Sequence, residues 1–133
     1  MNRMLGITLA ALLCLLGLAG CAQQEKEMVN TYQQISAQEA KDLMDSGKEH
    51  VIIDARTEEE FVTGHIPNAI LIPEYEVAAR AETELPDKDA LILVYCRSGR
   101  RSKIASEELV KLGYTNVKEF GGIIDWPYET TTE

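Results

Sequence analysis

The chain is short of positive charge, of histidine and of cysteine, and each shortage removes a class of function. With 13 Lys and Arg against 22 Asp and Glu, a formal net charge of −9, it lacks the basic surface that nucleic-acid binding requires. Its 2 histidines stand far from each other and from any cysteine, so no metal-ligand set is expected. No glycine-rich nucleotide loop occurs, and no cofactor is expected. The 3 cysteines are too few for a disulfide framework. No internal repeat is present. What remains suits one small globular domain: 133 residues, 45% of them apolar, enough for a modest core.

One long hydrophobic run exists, at the N-terminus. Met1 to Cys21 (MNRMLGITLAALLCLLGLAGC) carries Arg3, then an uninterrupted apolar segment ending in small residues, the layout of an export signal and not of a folded element. Leu18-Ala19-Gly20-Cys21 resembles the lipobox of bacterial lipoproteins. That resemblance implies a signal peptide over 1–20, lipidation of Cys21, and a polar tether over 21–30 that holds the domain off the membrane. Cys14 then leaves with the leader, Cys21 is consumed by lipid, and Cys96 has no intramolecular partner. A lone thiol in a polar loop of an exported protein points to use. The expected location is the cell envelope, lipid-anchored and facing outside the cytoplasm. Ala22 is unlike the aspartate that commonly retains lipoproteins in the inner membrane, so the choice of membrane stays open.

Strand and helix signals alternate along the rest. Thr31 to Ile35 reads as a short strand, and Ser36 with Glu39 as a capping box opening a helix that Gly47 closes. Val51 to Ala55 is a central strand carrying Asp54. Thr57 with Glu60 opens a short helix ending at Gly64. Ile70 to Ile72 is a third strand, and Tyr75 to Leu85 a helix with Val77, Ala78 and Ala81 on its apolar face. Leu91 to Cys96 is a strand buried on both faces, followed by a polar loop and a helix with Ile104, Ala105, Leu109 and Leu112 on one side. Gly113 stops that helix, Val117 to Phe120 is the last strand, and a turn holding Trp126 precedes an acidic tail, 130–133, that is expected to fray. The alternation indicates an α/β fold with a central parallel sheet and helices on both faces.

Cys96 ends the most apolar strand, where ligands of open α/β sheets usually bind and where the next helix directs its unpaired N–H groups. Between Cys96 and Lys103 stand Arg97, Arg100, Arg101 and Lys103, four of the 13 cations of an acidic chain. Cations and a helix N-terminus favour a thiolate over a thiol, and the thiolate is the nucleophile. Gly99 permits a tight turn in which successive N–H groups converge on an anion.

Three separated segments carry a resemblance to the rhodanese family of sulfurtransferases. CRSGRRS from Cys96 is similar to its active loop, DARTEEEFVTGHIPNA over Asp54 to Ala69 to its first signature, and GGIIDW over Gly121 to Trp126 to its closing one. The resemblance implies a rhodanese-like domain over 31–129 and a sulfane-sulfur cycle. In it Cys96 takes a sulfur from a small anionic donor, such as thiosulfate, polysulfide or a persulfide, and holds it as a persulfide. An external acceptor, a small molecule or a protein thiol, then removes it. Backbone N–H groups of Arg97, Ser98, Gly99, Arg100 and Arg101 would cradle the persulfide, with Arg97 and Arg100 gripping the donor. Asp54, Arg56, Glu60 and His65 match polar positions of the first signature and are expected to be structural, His65 locking a turn and Trp126 plugging the core under the loop. His50 precedes a strand with no partner legible in the sequence. A monomer is expected.

Two other functions fit parts of the pattern. Cysteine phosphatases, some on this fold, also attack with a loop cysteine, and arsenate reductases are chemically close. The phosphatase signature needs five residues between cysteine and arginine, whereas four separate Cys96 from Arg101 and Ser102 stands next. A phosphoryl group needs the longer loop. A lipid-anchored module that binds a sulfur species or a partner without turnover remains the alternative.

Overall fold

The computed structural model describes residues 30–133. The expected leader, the lipid site at Cys21 and the tether up to residue 29 lie outside the described residues. Five parallel strands form one sheet in the order β1-β5-β4-β2-β3: β1 is Gln33–Gln34, β2 Val51–Asp54, β3 Ile70–Leu71, β4 Ile92–Cys96 and β5 Val117–Gly122. Four helices connect them: α1 Ala37–Asp45, α2 Glu58–Thr63, α3 Val77–Glu84 and α4 Arg100–Lys111. The first and third strands are shorter than the sequence suggests, two residues each, because they sit at the edges where little burial rewards extension.

Local sequence explains the helix starts. The Ser36 and Thr57 hydroxyls accept from the N–H groups of Glu39 and Glu60, whose carboxylates reach back to the cap residues, so both capping boxes form. Gly47 closes the first helix at φ 82°, a backbone that suits glycine.

Alternation along β4 divides the core. Ile92, Val94 and Cys96 point to the layer built with Val77 and Ala81 of α3 and Ala105 and Leu109 of α4. Leu93 and Tyr95 point to the other layer, with Ala40 of α1, Ile66 and Phe120. Helices therefore cover both faces, and β4 is the central strand buried on each side. Each fully buried Ile or Leu here contributes roughly 1.5–3 kcal/mol of transfer free energy. Three expectations fail at the margins. Ala78 is exposed, because α3 turns only Val77 and Ala81 inward. Trp126 packs on Phe120, ring centroids 5.4 Å apart, in the layer opposite Cys96, and so does not plug the core beneath the loop. The tail does not fray: Thr131 pairs with His65 through two 2.8 Å backbone hydrogen bonds.

Candidate active site

Cys96 lies at the carboxyl end of β4, 1% exposed, with its side chain on the α3/α4 face. The chain turns over Arg97, Ser98 and Gly99 into α4, and the Gly99 N–H points back to donate to Cys96 Sγ at 3.0 Å. Gly99 itself is left-handed, φ 110°, and offers the helix no side-chain cap. The first N–H groups of α4 thus lack acceptors within the helix and are free for an anion above the sulfur.

This tight turn rests on Gly121-Gly122. The pairing of β4 with β5 shifts register after Val94, bringing Cys96 opposite Gly122, and Arg97 O accepts from the Ile124 N–H at 3.2 Å. A Cβ on Gly122 would lie 2.1 Å from Arg97 O, so the closing signature is a floor for the loop.

The cations divide into two kinds. Arg101 is engaged: its guanidinium makes a bidentate pair with Glu60, 2.6 and 2.8 Å, binding the first turn of α4 to the first turn of α2. Its guanidinium is thereby occupied, unlike those of its neighbours in the loop. Arg97, Arg100 and Lys103 are exposed, and among the described residues none is in an ion pair. Ser98 is exposed beside Arg97.

The Arg101 hydrogen bonds hold the Glu60 carboxyl down to about 2 against an ordinary 4.5, with burial opposing and the Thr57 bonds assisting. Since the folded value is the lower one, the stabilisation from this clamp is complete above the ordinary carboxylate range. It is lost as pH falls toward about 2. Glu60→Gln is expected to lower stability by about 2 kcal/mol at neutral pH, with the difference from wild type shrinking on acidification below about pH 4. Urea midpoints at several pH values check this.

The other first-signature residues form a network on the opposite face. Asp54, fully buried, accepts from Arg56 Nε and Nη2 (3.0 and 2.8 Å), from the Arg56 N–H (2.9 Å) and from the Tyr95 hydroxyl (2.6 Å). Arg56 also donates to Gly64 O at 2.7 Å, and Tyr95 Oη accepts from the Ile66 N–H at 3.0 Å. Arg56, 5% exposed, is thus committed to fixing the α2–β3 connection. His65 stacks on Phe61 at 3.7 Å, with ring nitrogens 3.0 Å from Phe61 O and 2.9 Å from Glu133 O, which makes it a turn lock. His50 bonds its own turn, Nδ1 to Lys48 O at 2.7 Å.

Two residues at the sulfur escape the sequence reading. Ser102 Oγ lies 3.3 Å from Cys96 Sγ, and 2.5 Å beyond it is Glu119 Oε2 on β5. Glu119 is 2% exposed and also accepts from the Gly121 N–H at 2.8 Å. The available signal is an acid at an inward position of an apolar strand, two residues after Val117.

Comparison with known proteins agrees with this geometry. Residues 36–127 match the model of the rhodanese-like domain. The chain is 44% identical over 73 residues to thiosulfate sulfurtransferase PspE of Escherichia coli, covering 55% of this chain and 70% of that one. It is 33% identical over 113 residues to adenylyltransferase and sulfurtransferase UBA4 of Candida albicans, covering 80% of this chain and only 26% of that longer protein. Among solved structures, a rhodanese with anions from E. coli superposes with a TM-score of 0.60 at 38% identity, over 64% of this chain and 100% of that one.

Proposed function

Since the chain belongs to the rhodanese-like domain family, we propose that it is a sulfurtransferase in which Cys96 carries the sulfur. The observation that supports this most is the seat of Sγ: held by the Gly99 N–H beneath a helix start, with Arg97 and Arg100 unpaired at the mouth. These are donors preorganised for negative charge on sulfur.

With thiosulfate, the Cys96 thiolate attacks the outer sulfur. A Cys96 Sγ–S bond forms, the bond to the sulfonate sulfur breaks, and its electron pair leaves with sulfite. The persulfide anion rests in the loop, facing the first N–H groups of α4. Cyanide or a thiolate then attacks the terminal sulfur, taking it as thiocyanate or a new persulfide and returning the Cys96 thiolate. Arg97 and Arg100 attract the donor and hold its oxyanion. Among the described residues Cys96 is the only cysteine, so the acceptor comes from outside the domain.

The LAGC sequence supports export as a lipoprotein anchored through Cys21, with the catalytic domain facing away from the cytoplasm. The mass of the N-terminal peptide from the native membrane fraction reads this directly; an unmodified Met1 would refute it.

Full-length protein incubated with thiosulfate should gain one sulfur atom on the Cys96 peptide by mass spectrometry and lose it on addition of cyanide. No gain with thiosulfate, polysulfide or a small persulfide would sink the transferase reading in favour of a binding module.

A further inference from the structure

The thiol of Cys96 is the donor end of a short buried chain. Its S–H reaches Ser102 Oγ at 3.3 Å, and Ser102 in turn is 2.5 Å from Glu119 Oε2. Ser102 has a single proton. Gly99 O at 3.0 Å and Gly121 O at 3.4 Å are further acceptors, but the carboxylate is nearer and charged, so the proton goes there and the serine oxygen is left to accept from sulfur. Glu119 is pinned by the Gly121 N–H at 2.8 Å, within the same Gly121-Gly122 floor that supports the loop. Neither Cys96, Ser102 nor Glu119 is more than 2% exposed, so bulk water is a poor acceptor for the thiol proton.

We infer that Glu119, acting through Ser102, takes the proton of the Cys96 thiol and so generates the sulfur nucleophile inside the closed loop. The S–H bond breaks and its proton passes to Ser102 Oγ, while the proton already on Ser102 passes to Glu119 Oε2. Thiol and carboxylate become thiolate and carboxylic acid, with serine unchanged. The buried group carries one negative charge before and after, whereas losing the proton to solvent would place two anions together in a site of low polarity. The charge moves from the interior of the sheet to the sulfur, where the Gly99 N–H and the α4 terminus receive it. Glu119 touches neither donor nor acceptor and is therefore a positioning residue.

Charged and titratable groups of the neighbouring elements surround this pair. From α4 and α2, Arg101 and Glu60 satisfy each other, with Glu60 held down to about 2 and Arg101 pushed up. The Tyr32 hydroxyl, beside β1, is pushed above 10.0 by burial and then by Glu107 and Glu119.

The inference rests on Cys96 being the nucleophile, so its test does not use sulfur transfer. The seat of the proton is read instead, by the infrared C=O stretch of a buried protonated carboxyl in full-length protein at about pH 7, where ordinary carboxyls are ionised. Wild type should show one such band that Glu119→Gln removes, which assigns it, and that Cys96→Ser also removes, because no thiol is left to give Glu119 its proton. No protonated-carboxyl band in wild type, or a Glu119 band that persists undiminished in folded Cys96→Ser, would overturn the relay. A protein that persulfidates Cys96 but fails this test is a sulfurtransferase without it.

Discussion

Gly122→Ala should unfold the loop from its floor, lowering stability by roughly 3 kcal/mol and abolishing sulfur transfer. The added Cβ would stand 2.1 Å from Arg97 O, 2.5 Å from Arg97 C and 2.6 Å from Ser98 Cα. All three are backbone atoms of the turn that follows Cys96, so no rotamer change relieves the contact. Either β5 moves away from β4, breaking the pairing of Cys96 with Gly122, or the turn lifts and carries the Gly99 N–H off the sulfur. The neighbouring position is the internal control. Gly121 is left-handed at φ 91°, but a Cβ there meets nothing within 4 Å. Gly121→Ala should therefore cost only its backbone strain, about 1–2 kcal/mol, and leave a measurable transfer rate. Denaturant unfolding and thiocyanate release on the two variants separate steric collision from strain. Equal effects would mean that the close approach of Arg97 is not what requires Gly122.

Cys96→Ser should do the reverse, leaving the fold within about 1 kcal/mol of wild type while removing transfer by at least about a thousandfold. The serine oxygen is smaller than sulfur but can still accept from the Gly99 N–H, and the strand below it is held by both ladders of β4. The chemistry has no substitute. A hydroxyl cannot form the sulfur–sulfur bond on which the proposed cycle depends, and among the described residues no other cysteine can take over. Thiocyanate formation and circular dichroism on the same preparation decide the matter; residual transfer near the wild-type rate would move the nucleophile elsewhere.

What the sequence discloses and what it hides follow from the range of each interaction. Both capping boxes are legible because their partners lie three residues apart, and the central strand is legible because five consecutive inward or outward positions, Ile92 to Cys96, are all buried. The cation cluster is equally plain, since it is contiguous. Which cation is free is not. Arg101 faces Glu60, 41 residues away, and nothing in the loop distinguishes it from Arg100. The same distance effect conceals Ser102 and Glu119, which meet only when β5 is laid beside β4. Trp126 is misplaced for another reason: the closing signature it belongs to does meet the loop, through Gly122, but the 3₁₀ turn Ile123–Asp125 then redirects Trp126 to the far face. The tail is misjudged because its partner, His65, reads as a turn residue and not as an edge ready to accept a strand.

The position of β4 between β5 and β2 has one more consequence. Its amides and carbonyls are consumed by ladders on both sides, so the backbone up to Tyr95 opens only when the whole sheet does. Beyond Cys96 the exposed residues Arg97 and Ser98 are held by little more than the Arg97 carbonyl. The sulfur thus stands at the border between backbone paired on both sides and a turn whose residues Arg97 and Ser98 face solvent: anchored from below against drift, with a donor's approach on the side where the ladders end.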